Sequence, residues 1–262
     1  MTDRPAEDMA MAIARAHEQR APFALLPAER IGDVGFAYEV QDRLVAHWRQ
    51  SNDDVIFGWK LGMTTAKMRT LTGICEPAAG AILARRAHWS GAVLARSKLV
   101  HLGLEGEIAV RVGEGFPETA GVDPAQAMDR LDAIAAAFEI SDDRHADWER
   151  LEAASLIADN IWNMGVVIGP ATPARGFGSL MGRCGIVTVN GELRDHGVSE
   201  DVGGDPLALV AWLGAHLARR GRPLQPGQWI MTGSFVPTRF PEAGERYRFA
   251  VDGLEPVEAI IG

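Results

Sequence analysis

The chain has 262 residues, 47% hydrophobic and 23% charged, an ordinary balance for a folded protein with a sizeable core. A formal charge of −9 without any basic cluster argues against nucleic acid or an anionic membrane as a partner. Two cysteines, Cys75 and Cys184, with no metal-ligand spacing around either, exclude a disulfide framework and a zinc–thiolate site.

The start, Met1 to Asp8, is polar and acidic and lacks the pattern of a signal peptide. No apolar run is long enough to span a bilayer, so the expected compartment is the cytoplasm. Ala6 to Arg20 is Ala-rich and charged and reads as a helix. A second helix is expected from an Asp33 cap to about Arg49, with Phe36, Val40, Leu44, Val45 and Trp48 as its apolar stripe. Val55 to Leu61 reads as a short strand carrying Lys60, either turned to solvent at an edge or buried with a lowered pKa. Thr64 to Thr72 reads as a helix ending near Gly73. Ala81–Leu83, Ala92–Leu94 and Leu99–His101 read as strands. His101 is either a satisfied structural histidine or a ligand.

The next strand, Leu104 to Val112, alternates. Side chains on a strand point to opposite faces in turn, so Leu104, Ile108, Val110 and Val112 share one face and Glu105 and Glu107 the other. Two carboxylates on one face are either a wet, acidic surface or two oxygen ligands for a divalent cation.

Asp123-Pro124 has the form of a helix start, and the helix is expected to run through Met128, Leu131, Ile134 and Ala135. In the following Phe138-Glu139-Ile140-Ser141, Glu139 points away from its apolar neighbours if the segment is a strand. It is then either a lone surface acid or a third oxygen ligand. Asp147 to Asn160 reads as a helix, Val166–Ile168 as a strand, and Thr172 to Gly178 as a loop. Asn190-Gly191 predicts a tight hairpin between Gly185–Val189 and Glu192–Arg194. Asp205-Pro206 opens a helix that closes at Gly221. Trp229–Ser234, Tyr247–Val251 and Val257–Ile261 are the last strands. No GxGxxG, GxxxxGK[ST] or GxSxG occurs, which removes support for nucleotide and serine-hydrolase readings.

In order, Gly58-Trp59-Lys60-Leu61-Gly62-Met63-Thr64, Glu105-Gly106-Glu107-Ile108-Ala109, Phe138-Glu139-Ile140, Ala158-Asp159-Asn160 and Thr232-Gly233-Ser234 resemble the motifs of the 2-keto-4-pentenoate hydratase and 4-oxalocrotonate decarboxylase family. The likeness extends from about residue 10 to the C-terminus, with Gln228 where the family carries Asp. It implies an α+β fold, a helical N-terminal part followed by a mixed β-roll of the fumarylacetoacetase C-terminal type. The expected division is a helical part over 1–72, holding the Lys60 strand, and a β-roll over 73–262, holding the metal site, the two forming one compact unit.

The resemblance also implies Mg²⁺ or Mn²⁺ on Glu105, Glu107 and Glu139. Lys60 is the expected catalytic residue, for proton transfer or for orienting a carboxylate. Asn160, Thr232 and Ser234 are expected either near the substrate or as turn caps. The implied substrate is a small 2-oxo or 2-hydroxydienoic acid from aromatic-ring degradation. The implied reaction is hydration of a 2-oxopent-4-enoate, with decarboxylation of 4-oxalocrotonate or C–C hydrolysis of an acylpyruvate as alternatives. A non-catalytic partner subunit is the reading from another class. Homo-oligomers are expected, with association of a sister decarboxylase or hydratase.

The chain departs from the family pattern in three places. Ala78 stands where hydratases carry an Asp that handles water or protons. Leu102-Gly103 replaces Pro-Arg, and Ile161-Trp162-Asn163-Met164 replaces a small Ser-containing turn. These changes predict a relined pocket: an altered substrate, a different reaction on the same enolate, or a lost activity.

Overall fold

A computed structural model describes residues 4–114, 116 and 123–262. The chain opens with helices α1 (Arg4–Glu18) and α2 (Val34–Asn52). Strand β1 (Ile56–Gly62), helix α3 (Ala66–Thr72) and strands β2 (Ala78–Leu83), β3 (Ala87–Trp89), β4 (Ala92–Leu94) and β5 (Leu102–Val112) follow. Next come α4 (Pro124–Asp129), β6 (Leu131–Asp142), α5 (Ala153–Ala158), β7 (Asn163–Ile168), β8 (Thr172–Pro173), β9 (Cys184–Val189) and β10 (Glu192–Val198). Helix α6 (Pro206–Arg219) precedes β11 (Trp229–Ser234), β12 (Arg246–Val251) and β13 (Val257–Ile261).

The strands form two mixed sheets. The larger has eight strands in the order β2-β1-β11-β5-β6-β7-β3, with β8 beside β6; the smaller has five in the order β10-β9-β12-β13-β4. The larger sheet runs across residue 72, because β1 pairs antiparallel with β2 and parallel with β11. One apolar cluster joins α1 and α2, the centre of the large sheet and the inner face of the small one.

Strand β5 lies at the middle of this arrangement and is buried on both faces. Its Leu104–Val112 apolar face looks toward the small sheet. A Cβ at Gly106 would stand 2.9 Å from the Phe249 ring, so the missing side chain is what lets β12 pack against β5. The opposite face carries Glu105 and Glu107. The wet-surface reading of that face fails, since Glu107 is fully buried.

Local signals held where backbone chemistry dominates. Asp33 accepts the Phe36 N–H as an N-cap, Asp205 accepts that of Leu207, and Asn190-Gly191 turns with φ of 54° and 85°. Other expectations are corrected. Helix α4 stops at Asp129, and Leu131 to Asp142 is a strand. Its alanines favour a helix, but β5 and β7 flank it, so pairing on both edges overrides propensity. Leu99–His101 is not a strand: the N–H groups of Val100 and His101 donate to the Asp142 carboxylate instead of to a neighbouring strand. The expected 147–160 helix is divided. A 3₁₀ turn covers Trp148–Arg150, and Glu152 restarts the chain as α5 by accepting the N–H groups of Ala154 and Ser155. The 172–178 loop contains the short strand β8.

Candidate metal centre

The register of β5 on β6 sets Glu105 directly opposite Glu139, and Glu107 two residues along the same face. One ligand atom from each of the three lies within 4.8 Å of the others. Strand β11 borders β5 on the other side. Between Met231 and Ser234 its register slips, and Gly233 adopts a φ of 105°. That irregularity aims the Gly233 N–H at Glu107 Oε2, at 2.7 Å.

The remaining bonds leave a pattern. Thr238 Oγ1 donates to Glu105 Oε1 at 2.7 Å, and Asn163 Nδ2 donates to Glu139 Oε1 at 3.1 Å. Glu107 Oε1 and Glu139 Oε2 are buried with no hydrogen-bond partner. A buried carboxylate oxygen without a donor is costly. Burial raises the pKa of Glu107 well above the usual carboxylate range, and the charges of Glu139 and Glu105 raise it further. Burial likewise raises Glu139, against the lowering effect of Lys60. Three converging carboxylates with two orphaned oxygens are the donor set of a hard divalent cation such as Mg²⁺ or Mn²⁺. The residues present therefore fit the ion.

Lys60 comes from β1 and places Nζ 3.1 Å from Glu139 Oε1. It is 5% exposed, so the solvent-edge alternative is excluded. Burial disfavours its ammonium, but Glu139, Glu105 and Glu107 together outweigh that, and its pKa is raised.

Lys60 and Glu105 stand at one end of a cavity of about 250 Å³. Ser234 also lines it; its hydroxyl lies 2.7 Å from the Val236 carbonyl. Asn160 and Thr232 do not. Asn160 accepts the Ala81 N–H and donates to the Ala81 carbonyl, at 2.7 and 2.9 Å. Thr232 is fully buried and donates to the Ile108 carbonyl at 2.8 Å. Ala78 is buried in β2 opposite Gly62 and contributes no acid.

Asn160 serves the cavity indirectly. It opens a left-handed turn in which Asn160, Ile161 and Trp162 have φ of 52°, 50° and 58°. Side chains seldom adopt this conformation, least of all a β-branched one. Asn160 bolts the turn to β2, while Asp159 is tied to Arg144 and, at 2.7 Å, to His17 Nε2 of α1. The turn is thereby made to push Ile161 and Trp162 into the cavity wall.

Sequence reasoning missed Thr238, Asn163 and the wall residues Ser141, Asp143, Trp148 and Phe240. The bond between Thr238 and Glu105 spans 133 positions, and no local period announces such a pair.

The family described as fumarylacetoacetate (FAA) hydrolase C-terminal matches residues 75–261. A 2-keto-4-pentenoate hydratase of Paraburkholderia phymatum is 28% identical over 98% of this chain and 97% of its own length. A 2-hydroxyhexa-2,4-dienoate hydratase of Comamonas testosteroni is 26% identical over 79% of this chain and 78% of its own. Among solved structures, a 4-oxalocrotonate decarboxylase of Pseudomonas putida G7 complexed with magnesium and adipate superposes with a TM-score of 0.89. It is 24% identical, over 100% of this chain and 99% of that one, which is a likeness of fold. With its converging carboxylates on β5 and β6 and its residues 75–261 matched, the chain belongs to the fumarylacetoacetate hydrolase C-terminal family.

Proposed function

We propose that this protein is a divalent-metal-dependent lyase acting on 2-oxo or 2-hydroxydienoic acids from aromatic degradation, and in the first place a hydratase of the 2-oxopent-4-enoate type. The observation that carries the reading is Lys60 beside the three-glutamate cluster at the inner end of a cavity. Relatives with this activity, matching nearly the whole chain, support it.

A cation on Glu105, Glu107 and Glu139 would supply charge stabilisation for the enolate oxygen of a 2-oxo acid. The protein's own groups do the rest. Lys60, its Nζ 3.1 Å from Glu139 Oε1, lines the cavity beside Glu105 and is placed to orient the substrate's carboxylate or to pass a proton. Glu139 fixes that ammonium in place. Ser234 lines the cavity with its hydroxyl donated to the Val236 carbonyl, so its oxygen is left to accept from a substrate hydroxyl. Ile161 and Trp162 narrow the cavity and keep bulk water from the dienol. Ala78 provides no second acid, so proton traffic near the metal rests on Lys60.

Exposed Val55, Trp89 and Val93 support the further reading that copies of the chain associate with one another. Among the described residues no helix is long and apolar enough to cross a membrane.

The test is turnover of freshly generated 2-hydroxypenta-2,4-dienoate with Mg²⁺ or Mn²⁺, beside CO₂ release from 4-oxalocrotonate. Hydration that stops on chelation is expected. Lys60→Met is expected to cost about 10²–10⁴ in kcat, the usual worth of general acid–base help. CO₂ release without hydration would replace the hydratase by the decarboxylase. Turnover of neither would refute the lyase.

A further inference from the structure

Of the three glutamates only Glu105 lines the cavity, beside Lys60 at its inner end. The same faces of β5 and β6 continue outward as a ladder. Beyond Glu105 and Glu139 comes the pair Gly103 and Ser141, and just past the strand ends come His101 and Asp143. Four residues of strand separate the first pair from the last, about 13 Å. The middle rung is nearly bare. A Cβ on Gly103 would stand 2.4 Å from Ser141 Oγ, 3.2 Å from Thr238 and 3.7 Å from the Phe240 ring. Position 103 therefore packs directly behind three cavity-lining residues, and its lack of a side chain is what lets Ser141, Thr238 and Phe240 sit where they do.

The outer half is aromatic. Trp148 and Phe240 line it and are 40% and 43% exposed, which sets them at the mouth. Trp148 packs on Trp162, with ring centroids 5.5 Å apart. Phe240 stacks on His101 at 4.0 Å with the rings nearly parallel. His101 is not itself part of the cavity wall; its Nδ1 lies 2.7 Å from Asp143 Oδ1.

The charge in this half is acidic. Asp143 lines the cavity and is 4% exposed. Its oxygens already accept the N–H of His145 at 3.0 Å and Trp148 Nε1–H at 3.0 Å. Among the described lining residues the single cation is Lys60, bound to Glu139 at the far end. Arg144, the nearest arginine in sequence to Asp143, is buried against Asp159 and does not line the cavity.

We propose that the outer half is a subsite for a neutral, flat tail, aryl or alkenyl, on the 2-oxo acid, and that it selects against a second carboxylate. The proposal rests on the reading of the inner half as the metal and 2-oxo end. Tryptophan and phenylalanine faces at a bare strand rung accept a planar apolar group longer than a pentadienoate. A terminal carboxylate brought to the same place loses its water and meets Asp143, which already holds His101, with no lysine or arginine among the described lining residues other than the distant Lys60. The physiological substrate is thus a monoacid with an extended unsaturated or aromatic tail, and the reaction that supplies it is a ring opening that leaves one carboxylate.

Three stable ligands test this by calorimetric binding to the Mg²⁺-supplied protein: oxalate, a mimic of the chelating end, for the inner half, and the 2-oxo acids 2-oxo-4-phenylbutanoate for the neutral tail and 2-oxoadipate for the charged one. The phenyl ligand is expected to bind at least about tenfold tighter than 2-oxoadipate. Gly103→Leu is expected to weaken the phenyl ligand by about tenfold or more while leaving oxalate within about twofold, which also shows that the variant is folded. Asp143→Asn, which keeps the shape and removes the charge, is expected to close the gap between the two tails. Equal or tighter binding of 2-oxoadipate to the unaltered protein, with oxalate bound, overturns the tail subsite alone. So does an equal loss of oxalate and phenyl ligand in Gly103→Leu. No oxalate binding to the unaltered protein overturns the reading of the inner half, and the tail subsite with it.

Discussion

Glu107→Gln should move stability in opposite directions with and without metal. Glu107 is fully buried, one oxygen holds the Gly233 N–H and the other has no partner. Two more carboxylates approach within 4.8 Å. At that distance two ionised carboxylates repel by about 3 kcal/mol at an effective dielectric of about 20. The upward shift of Glu107 reflects this repulsion, and the charge of Lys60 offsets part of it. Glutamine keeps the shape and the acceptor for Gly233, and places an amide donor among acids that can accept it.

The metal-free variant should therefore be more stable than the metal-free parent by about 1 kcal/mol or more, or about 2–4 °C in Tm. Metal reverses the order. At a hundredfold excess over its Kd, Mg²⁺ stabilises the parent by about 2.7 kcal/mol. The variant has lost one of its anionic ligands and should gain little. The assay is thermal unfolding of both proteins in EDTA and across a Mg²⁺ titration. An equal Mg²⁺ response in both proteins would refute the three-glutamate centre. A metal-free variant less stable than its parent would refute the argument that the acids repel one another.

Two further substitutions separate structure from chemistry. Thr232→Val removes the hydroxyl donated to the Ile108 carbonyl and should cost about 1–3 kcal/mol in unfolding free energy with KM unchanged; a raised KM at unchanged stability would return Thr232 to the substrate. His216 stacks on Trp212, and burial followed by the charges of Arg220 and Arg219 pushes its pKa down to about 4. The unfolded imidazole takes a proton near 6.5, the folded one only near 4, so the unfolded state binds more protons between those values. Stability should fall as pH drops through that window, and His216→Phe should flatten the loss; an unchanged slope in pH-dependent thermal unfolding would contradict this.

Much of the site was legible because its chemistry sits on local periods. A two-residue alternation puts Glu105 and Glu107 on one face whatever they pair with, and the same rule turns Glu139 away from Phe138 and Ile140. The segment around Lys60 resembled its family closely enough to be matched residue by residue. The resemblance was a weaker guide for Asn160 and Thr232. Both sit in matching motifs, yet both side chains are committed to backbone, the first holding the strained turn and the second bracing β11 against β5. Short polar side chains serve a turn and a ligand equally well, and only their surroundings distinguish the two uses.

The sequence by itself determined the N-caps at Asp33 and Asp205, the Asn190-Gly191 turn and the facing of the acidic pairs, all consequences of bonds within a few residues. Tertiary structure decided the rest. It turned the alanine-rich 131–142 segment into a strand because β5 and β7 flank it. It set Glu139 opposite Glu105 and brought Lys60 to 3.1 Å from Glu139 across a sheet whose order is not that of the chain. It also left two carboxylate oxygens buried without a donor, and built beside them a cavity with an acidic end and an aromatic end. A strand's own residues fix which way its side chains point. What they meet depends on register and neighbours, and those are set by the packing of the whole chain.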